Sequence, residues 1–527
     1  MKRIFWENIY LWPILLFYSF LMLLVIDWGI PNVNHPFNYH MDEWHQMQAV
    51  RDLFKYGTNN MEGAAHGPVL QFFLGGIFLV PFILIRYIDP FSISSSLQNL
   101  VMQERIFEVL RLNTLLFGVT SIIVLWKTIK DNFNISPLIP VLLFTFSPIW
   151  LSLSNYFKYD IALIFWILLA VWAMLNYHKR PILKNFLFAS FFSGLALSAK
   201  ASAVPIFPIL IFSYFLFSKG IRKNITGLIL GIAIFFVTFT TLGIPDLLFL
   251  KKGDYFVYFY DNLVTSPTAS NDFILGAPWY IYILFTHYPL IFGIVLYLFS
   301  LVSIFFLIYK KLLNSRNKTA IFILVSLFFF SLSLLALRLE LRGNRSLVLL
   351  PFLILSITFF LQEIKRIKKI PAYALITFLV AVQVIQSVPY VLFKTQLDTK
   401  QVSSEWITKN INKGLTIGLQ PVPIYQGIPD FLLKDYYFGQ KQTGYYRYKL
   451  VDYKTKELPD IILLTNTNYN KNLINNKDEI KLLERLSKEG YKLQNEFIPN
   501  LNFFFSDFNN ILFSGLFPVT DISIYKK

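Results

Sequence analysis

Two adjacent carboxylates, Asp42 and Glu43, follow the first long apolar stretch of the chain. Acidic side chains are costly beside a bilayer, so an apolar chain that keeps two of them there is expected to use them. A carboxylate that is partly desolvated at a membrane surface binds protons more readily and can serve as a general base. A helix over 42–56 would place Asp42, His45 and Ala49 on one face. N-capping of that helix by Asp42 is the structural alternative, and the two roles are compatible.

Asp42 and His45 could together hold a divalent metal, although two ligands are a weak signal for a metal site. We therefore assign no cofactor and no metal ligand from the sequence, and a divalent metal stays an open alternative. His66-Gly67-Pro68 comes next. Proline suits the first turn of the apolar helix that follows, and helix N-termini attract anions. His66 is a candidate phosphate ligand, with an ordinary interfacial loop as the alternative.

Asp160 and Lys200 stand at the edges of later apolar stretches, on the side that carries Asp42. Asp160 borders the candidate site, but it could also be a helix cap with Lys158 as its surface partner. Lys200 could bind a lipid phosphate, or it could extend to the headgroups as membrane lysines commonly do.

Arginines are concentrated at two outer positions. The turn over 338–345 contains Arg342 and Arg345, and Arg105 and Arg111 open the second span. Arginine pairs bidentately with phosphate, so both groups could bind an anionic lipid head. Nonspecific contact with anionic lipid is the alternative for each.

The composition excludes a soluble globular protein, because 55% of the 527 residues are hydrophobic, only 15% are charged, and the mean hydropathy is +0.52. The net charge of +17 does not indicate nucleic-acid binding, because the basic residues sit in short clusters between apolar stretches. The absence of cysteine excludes disulfides and thiolate chemistry. The first apolar stretch lacks a cleavage site and is expected to be retained.

Basic residues in short loops mark the cytoplasmic side of a membrane protein. Every second connection is basic if the apolar stretch 69–88 lies in the outer leaflet without crossing. We predict about 11 spans plus interfacial helices, a first outer loop over 29–104, and a plasma (cytoplasmic) membrane location with the candidate site extracytoplasmic. The spans are predicted near 8–28, 105–126, 136–153, 160–177, 185–199, 203–218, 225–245, 285–309, 319–337, 346–362 and 370–393.

The composition becomes polar near Thr395, so we predict a membrane domain over 1–394 and an extracytoplasmic domain over 395–527. Helices are expected over 403–411 and 477–488, the second ending near Gly490. Strands are expected over 415–419, 460–464, 502–505 and 522–525. The fold class is therefore a polytopic α-helical membrane protein with a small C-terminal α/β soluble domain.

A site on the outer face has no access to ATP or to cytoplasmic nucleotide sugars. Group transfer there needs an activated donor that the membrane itself carries, and a polyprenyl phosphate ester meets that need. Its leaving phosphate would be stabilised by arginine, lysine or a metal. An acid on one side and cations on the other fit such a displacement.

The order of motifs resembles the GT-C glycosyltransferases, and within them the family 39 group related to protein O-mannosyltransferases and aminoarabinose transferases. The likeness covers residues 1–393. It rests on Asp42-Glu43, His66-Gly67-Pro68, an arginine at 105 or 111, Ser147-Pro148 with Asp160, "GLALSAKAS" at 194–202 and "RGNRSLVLLPFL" at 342–353.

The resemblance implies an inverting transfer of a sugar from a polyprenyl-phosphate donor to a hydroxyl acceptor, with Asp42 as base and Glu43 supporting it. It also implies lipid-phosphate contacts by His66, Lys200 and the outer arginines, with Asp160 at the border of the site. Two positions depart from the family pattern. Gly67 replaces a proline, and Arg345-Ser346 replaces the commoner Arg-Tyr pair.

We therefore predict a membrane glycosyltransferase whose partners are a polyprenyl-phosphate sugar, membrane lipid and an acceptor of unassigned class. A transporter or flippase for lipid-linked glycans, a glycan ligase or polymerase, and a non-catalytic scaffold are the alternatives. A transporter is expected to show internal repeats and polar residues in mid-span. Neither is visible in this sequence.

Overall fold

The structure is a computed structural model. The residues it describes are 9–32, 35, 37–56, 68–93, 99–218, 225–245, 273–274, 277–313, 317–336, 343–365, 370–420, 428–429, 446–467, 477–499 and 520–527. Among the candidate site residues, His66 and Arg342 lie outside this part of the chain, as does the predicted strand 502–505.

Helices dominate the chain up to residue 395. In order, they are α1 (Leu11–Leu24), α2 (Met41–Tyr56), α3 (Leu70–Leu84), α4 (Leu100–Asn132), α5 (Leu138–Thr145), α6 (Pro148–Leu153), α7 (Tyr159–Lys179), α8 (Leu183–Ala199), α9 (Ile206–Phe217), α10 (Ile225–Leu242), α11 (Trp279–Tyr282), α12 (Tyr288–Phe292), α13 (Ile294–Leu313), α14 (Lys318–Ala336), α15 (Leu350–Lys365), α16 (Ile370–Ser387) and α17 (Pro389–Leu392). Short 3₁₀ segments cover Ala201–Ala203 and Gly343–Leu349, and a two-stranded ladder pairs β1 (Phe273–Ile274) with β2 (Ala277–Pro278).

Length and composition identify membrane-crossing helices within the described residues. Six helices are long and apolar enough to cross, or seven when one bent pair counts as a span, and four apolar helices are shorter. Each predicted span falls on a helix or a broken helix pair. The polytopic helical fold is thereby confirmed, while the total of about 11 spans stays a prediction.

Helix α3 occupies the ambiguous stretch 69–88. Just before it, the Val69 N–H donates to the carbonyl of Gly243 at the end of α10, at 3.0 Å. Just after it, the carbonyl of Tyr87 accepts from Arg105 near the start of α4, at 3.3 Å. Its 15 residues rise about 22 Å, which is less than the hydrocarbon core of about 30 Å. These contacts agree with a helix that lies along one end of the bundle.

Two of the predicted spans are interrupted in the structure. The stretch 136–153 breaks between α5 and α6, because Ser147 is extended and Pro148 has no N–H to continue the ladder. The stretch 285–309 breaks at Gly293, where φ is +87° and the helix direction turns by 118°. Glycine tolerates this left-handed backbone, which other residues rarely adopt.

Gln383 of α16 joins both breaks. Its Nε2 donates to the carbonyls of Phe146 and Phe292, at 3.1 and 2.9 Å, and its Oε1 accepts from the Leu296 N–H at 3.2 Å. Backbone groups freed by a broken helix must find partners inside the protein when no water is present. One buried amide supplies partners for the ends of three helices, and one of these ends precedes α6.

Small residues allow close packing between the helices. A Cβ at Gly194 of α8 would lie 2.8 Å from the carbonyl of Phe235 on α10, and one at Gly231 would lie 2.2 Å from the ring of Phe186. A Cβ at Gly118 of α4 would lie 2.0 Å from the Tyr18 hydroxyl of α1. Membrane helices gain stability from such contacts because lipid offers little hydrophobic driving force between helices.

The C-terminal part contains one five-stranded sheet in the order β4-β3-β5-β7-β6. Strands β3 (Thr416–Leu419), β4 (Arg447–Leu450) and β5 (Ile461–Thr467) are parallel, and β6 (Lys492–Phe497) and β7 (Thr520–Lys526) add antiparallel pairs. Ile461 and Leu463 pack towards helix α18 (Thr399–Asn410), and Ile462 and Leu464 pack towards helix α19 (Lys477–Lys488). Gly490 has φ +83°, which suits its predicted place after α19. The α/β prediction is confirmed.

The residues around the predicted domain boundary contact both the stretch that joins α6 to α7 and the predicted first outer loop. Buried Lys394 donates to the carbonyl of Ser152 at 3.1 Å and to Asn155 Oδ1, and its Nζ lies 4.5 Å from the centre of the Tyr156 ring. Buried Lys400 lies 4.0 Å from the centre of the Tyr39 ring. Such cation–π contacts strengthen when the cation is desolvated. The boundary at 394/395 itself stays a prediction.

We expect Gly293→Ala to destabilise the protein more than Gly414→Ala. Both glycines have positive φ, +87° and +88°, but a Cβ at 293 would lie 2.2 Å from Gln383 Nε2, whereas nothing lies within 4 Å at 414. The backbone cost is about 1–2 kcal/mol in either case, and only Gly293→Ala displaces the buried amide. The measurement is thermal unfolding in detergent. Equal loss in both variants would contradict the role of Gln383.

Candidate active site

Helix α2 presents the two acids in its first turn. The helix begins at Met41, and the carbonyl of His40 accepts the N–H groups of Glu43 and Trp44 at 3.2 and 3.4 Å. Asp42 is therefore the second helical residue, so the alternative of N-capping by Asp42 does not apply in this structure. Acids in the first turn are favoured by the partial positive charge of a helix N-terminus.

Glu43 is completely buried and forms a bidentate ion pair with Arg111 of α4. Arg111 Nε lies 2.8 Å from Oε1, and Nη2 lies 2.7 Å from Oε2. The N–H of Phe157 donates to Oε1 at 2.8 Å, and Asn38 Nδ2 donates to Oε2 at 3.3 Å. Paired and hydrogen-bonded in this way, the charges meet the conditions that make their burial tolerable.

Arg111 also anchors the segment that leads from α1 to α2. Its Nη1 donates to the carbonyls of Ile26 and Trp28, at 2.6 and 2.8 Å, and its guanidinium lies 5.6 Å from the centre of the Tyr156 ring. Arg111 thus holds three separate stretches of chain around one guanidinium. Glu43 and Arg111 fix the height and direction of α2, and hence the position of Asp42.

Asp42 is the accessible acid of the pair, with 41% of its side-chain surface exposed. Its Oδ2 accepts from buried Lys158 Nζ at 2.8 Å. Lys158 lies 3.7 Å from Asp160 Oδ2, and Asp160 Oδ1 pairs with Lys200 Nζ at 2.5 Å. These four residues form a line of alternating charges, which we call the charge chain.

Local structure explains the far end of the charge chain. Asp160 lies in the first turn of α7, where an acid is favoured, and Lys200 directly follows the last residue of α8, where a cation is favoured. Lys200 Nζ lies 4.5 Å from the centre of the Tyr159 ring. The 3₁₀ segment Gly343–Leu349 packs against α6, α7 and Ala201–Ala203, and it carries half-buried Arg345.

Electrostatics differ between the two lysines. Burial lowers the pKa of Lys158, but Asp42 and Asp160 outweigh it, so the pKa lies above its ordinary value. Burial lowers the pKa of Lys200, and repulsion by Lys158 and Arg345 acts in the same direction against the attraction of Asp160. An anion beside Lys200 would favour the charged form of the lysine and so raise its pKa.

Two further groups at the site have shifted acidities. Burial tends to raise the pKa of Glu43, but Arg111 and the Phe157 N–H outweigh it and hold the pKa below its usual value. Burial, helped by Lys158, lowers the pKa of His40 to about 4. His40 is therefore neutral at pH 7, and its Nε2 lies 3.4 Å from Lys158 Nζ, where it acts as acceptor.

A metal site would need several nitrogen or oxygen ligands around one point. Within the part of the chain that the structure describes, no group of three or more His, Cys, Asp or Glu side chains converges in this way. The suggested Asp42 and His45 pair gains no third ligand from these residues.

The predicted site residues separate into three groups. Asp42, Glu43, Asp160 and Lys200 come together through Lys158 and the α2–α4 contact, and Arg345 lies near enough to Lys200 to repel it. Arg105 is not part of this cluster and lies 5.0 Å from the centre of the Tyr87 ring. The positions of His66 and Arg342 are not described, although Val69, just after His66, bonds near the end of α10.

Sequence reasoning undervalued two residues. Arg111 was only an alternative to Arg105, and it is the arginine that holds Glu43. Lys158 was considered a surface partner of Asp160, whereas it is 1% exposed and reaches Asp42. The closeness of Lys158 and Asp160 in sequence was the available signal, but the contact with Asp42 spans more than a hundred residues and left no pattern.

We expect Glu43→Gln to destabilise the protein by about 3–5 kcal/mol, because it leaves Arg111 buried with its charge uncompensated. The double variant Glu43→Gln/Arg111→Gln should recover part of that loss, since it removes both charges. Asp52→Asn is a control, because it removes the acid of a different ion pair on the same helix, Arg51–Asp52. Thermal unfolding in detergent measures all variants, and strictly additive losses would contradict a coupled pair.

Acid should weaken the fold through His40. Between pH 6.5 and about 4 the unfolded chain binds a proton at this residue and the folded protein does not, so stability falls as pH decreases. The stabilisation is complete above pH 6.5, and its loss amounts to roughly 3 kcal/mol. His40→Asn should flatten unfolding temperature against pH in this window. Glu43 is present in both proteins, so its contribution to the slope is common to them, and an unchanged slope in His40→Asn would contradict the prediction.

Residues 96–244 match the family described as dolichyl-phosphate-mannose-protein mannosyltransferase. The matched segment includes Arg111, Lys158, Asp160 and Lys200, whereas Asp42 and Glu43 precede it. No curated protein matches the chain in sequence.

Several solved structures are similar at low identity. The archaeal oligosaccharyltransferase AglB from Archaeoglobus fulgidus, in complex with an inhibitory peptide and a dolichol-phosphate, is 12% identical with a TM-score of 0.46, over 79% of this chain and 62% of that chain. ArnT from Cupriavidus metallidurans bound to undecaprenyl phosphate is 11% identical with a TM-score of 0.45, over 98% of both chains. The S. cerevisiae protein O-mannosyltransferase Pmt1-Pmt2 complex bound to the sugar donor is 18% identical with a TM-score of 0.35, over 50% of this chain and 35% of that one.

The chain thus spans 62% of the length of the archaeal protein. The family match covers the part of the fold that supplies Arg111 and three members of the charge chain. The sequence of this part of the chain is thus similar to that of the dolichyl-phosphate-mannose-protein mannosyltransferase family.

Proposed function

We propose that the protein is a membrane glycosyltransferase that moves one sugar from a polyprenyl-phosphate donor to a hydroxyl acceptor on the outer face of the plasma membrane. The observation that carries this proposal is the charge chain, which sets an accessible carboxylate within reach of buried cations. The description of the matched family, a dolichyl-phosphate-mannose transferase, supports a donor of this chemical class.

The reaction requires a base for the acceptor and a cationic environment for the leaving group. Asp42 is the proposed base, because it is the accessible acid of the pair, whereas Glu43 is buried in an ion pair with Arg111. The acceptor oxygen attacks the anomeric carbon as its proton passes to Asp42. The bond from that carbon to the phosphate oxygen breaks, and the phosphate leaves with the electron pair. One displacement inverts the configuration of the sugar.

Lys200 and Arg345 are the proposed contacts of the donor phosphate. Lys200 is 9% exposed and adjoins the segment that carries Arg345, so negative charge that develops there is met in a desolvated environment. Electrostatic interactions are stronger in such a place than in water. His66 and Arg342 are proposed as further phosphate ligands on the strength of the sequence alone. Arg105, beside Tyr87, is proposed to contact the carrier lipid nearer the rim.

Extracytoplasmic placement of the site stays part of the proposal. It is supported by the basic residues near the C-terminal end of α4 and by the basic clusters at the ends of α7 and α9, which lie away from Arg111, Asp160 and Lys200. Basic loops face the cytoplasm. The site would then face the opposite compartment, where a lipid-carried donor is required.

We expect Asp42→Asn to lower the rate of transfer by about 10²–10⁴-fold, the usual contribution of a general base. Asp42→Glu should retain more activity than Asp42→Asn, because the carboxylate is kept. Glu104→Gln is a matched control, since it removes a partly exposed acid near the start of α4 that lies outside the charge chain. The measurement is release of polyprenyl phosphate by purified protein from a panel of polyprenyl-phosphate sugars.

Near-normal turnover by Asp42→Asn would exclude Asp42 as the base. Absence of turnover by the unsubstituted protein with every donor and acceptor offered would contradict the proposed reaction. Lys200→Met separates the roles further. It should weaken donor binding more than it weakens acceptor binding, and equal weakening of both would count against a phosphate contact.

A further inference from the structure

Lys158 lies between two acids and is shared unequally by them. Its Nζ is 2.8 Å from Asp42 Oδ2 and 3.7 Å from Asp160 Oδ2. The Lys158 and Asp160 side chains are each 1% exposed, whereas the Asp42 side chain is 41% exposed, so water screens the contact with Asp160 less than the contact with Asp42. As the structure stands, Lys158 is committed to the proposed catalytic base.

Asp160 is also divided between two cations. Oδ1 pairs with Lys200 at 2.5 Å, while Oδ2 is buried and accepts no hydrogen bond from the described residues. Buried carboxylate oxygens normally have a partner. The cation closest to supplying one is Lys158, and a shift of about 1 Å would bring it to the 2.7–2.9 Å of a charge-assisted hydrogen bond.

An anion that binds Lys200 would change this balance. It would compete with Asp160 for the Lys200 ammonium and leave the Asp160 charge less compensated. The attraction of Asp160 for Lys158 would then increase, and the anion would attract Lys158 in the same direction. Asp42 would lose its hydrogen-bonded cation at the moment when the donor arrives.

We propose that Lys158 is a positioning residue that moves from Asp42 to Asp160 when the phosphate group of the donor binds at Lys200, and that this movement releases Asp42 to act as base. This inference rests on the proposed function and adds to it a step that determines when Asp42 is available as base. Before donor binding, Lys158 occupies the carboxylate that must accept the proton. After donor binding, the carboxylate is available to the acceptor hydroxyl. The donor therefore binds before the acceptor is activated.

The switch makes a prediction about binding that needs no turnover. Phosphate binding must break the Asp42–Lys158 contact, so Asp42→Asn should tighten the binding of undecaprenyl phosphate to the purified full-length protein. We expect a gain of about fivefold or more in affinity in the Lys158 background. In the Lys158→Met background the same substitution should change affinity by less than about twofold, because no lysine remains to move.

The four dissociation constants distinguish the switch from direct repulsion. An Asp42→Asn gain of equal size in both backgrounds would show plain repulsion between Asp42 and phosphate, and it would overturn the proposal. Absence of any gain would overturn it as well. If the unsubstituted protein does not bind undecaprenyl phosphate at all, the proposed function is contradicted instead. Failure of the switch and failure of the proposed function are therefore distinguishable.

Parallel titrations identify the source of the phosphate. Inorganic phosphate and phosphatidylglycerol are tested on the same four proteins, with Glu104→Gln as the matched acid control. A Lys158-dependent gain with inorganic phosphate supports recognition of the phosphate group itself. The same gain with phosphatidylglycerol would assign the response to anionic lipid in general and overturn its link to the donor.

The unsubstituted protein gives a second test that does not depend on how variants fold. An experimental structure with undecaprenyl phosphate bound should show Lys158 Nζ within hydrogen-bonding distance of Asp160 and beyond that distance from Asp42. Retention of the 2.8 Å contact with Asp42 in the bound protein would overturn the proposal.

Discussion

The buried ion pair between Glu43 and Arg111 is the constraint on which the rest of the site depends. Two charges out of contact with water are stable only when each is fully paired, and Arg111 meets that condition by also binding the carbonyls of Ile26 and Trp28. The contacts of Glu43 with Arg111 and with the Phe157 N–H fix α2 against α4 and against the turn that carries Phe157. The neighbouring Asp42 is consequently held near Lys158 without being buried itself.

The different exposure of the adjacent acids Asp42 and Glu43 follows from helix geometry. Consecutive residues on a helix point in directions about 100° apart, so one acid of the pair faces the protein while the other faces the accessible side. Glu43 is completely buried, and the Asp42 side chain is 41% exposed. The proposed chemistry uses this difference. Asp42 must be accessible to the substrate as a general base, whereas Glu43 acts through its buried contact with Arg111.

Much of the fold could be predicted from sequence because hydropathy and basic loops report directly on the membrane. The helices that contain Asp42 and Asp160 and the strands around Ile461 and Ile522 were predictable from local patterns. The breaks at Ser147 and Gly293 were missed, because a distant amide, Gln383, supplies their hydrogen bonds. The exposed edge strands β4 and β6 lack the apolar alternation that marks a strand. The Asp42–Lys158 contact is equally long-range, so no local pattern could indicate it.

In the proposed reaction, one accessible carboxylate directs a single displacement at a sugar held by a cationic phosphate site. The anomeric configuration of the product tests it most directly. Purified protein is given a polyprenyl-phosphate sugar of known configuration, and the glycosidic linkage formed is assigned by NMR. We expect inversion at the anomeric carbon. Retention of configuration would require a second displacement and would contradict it.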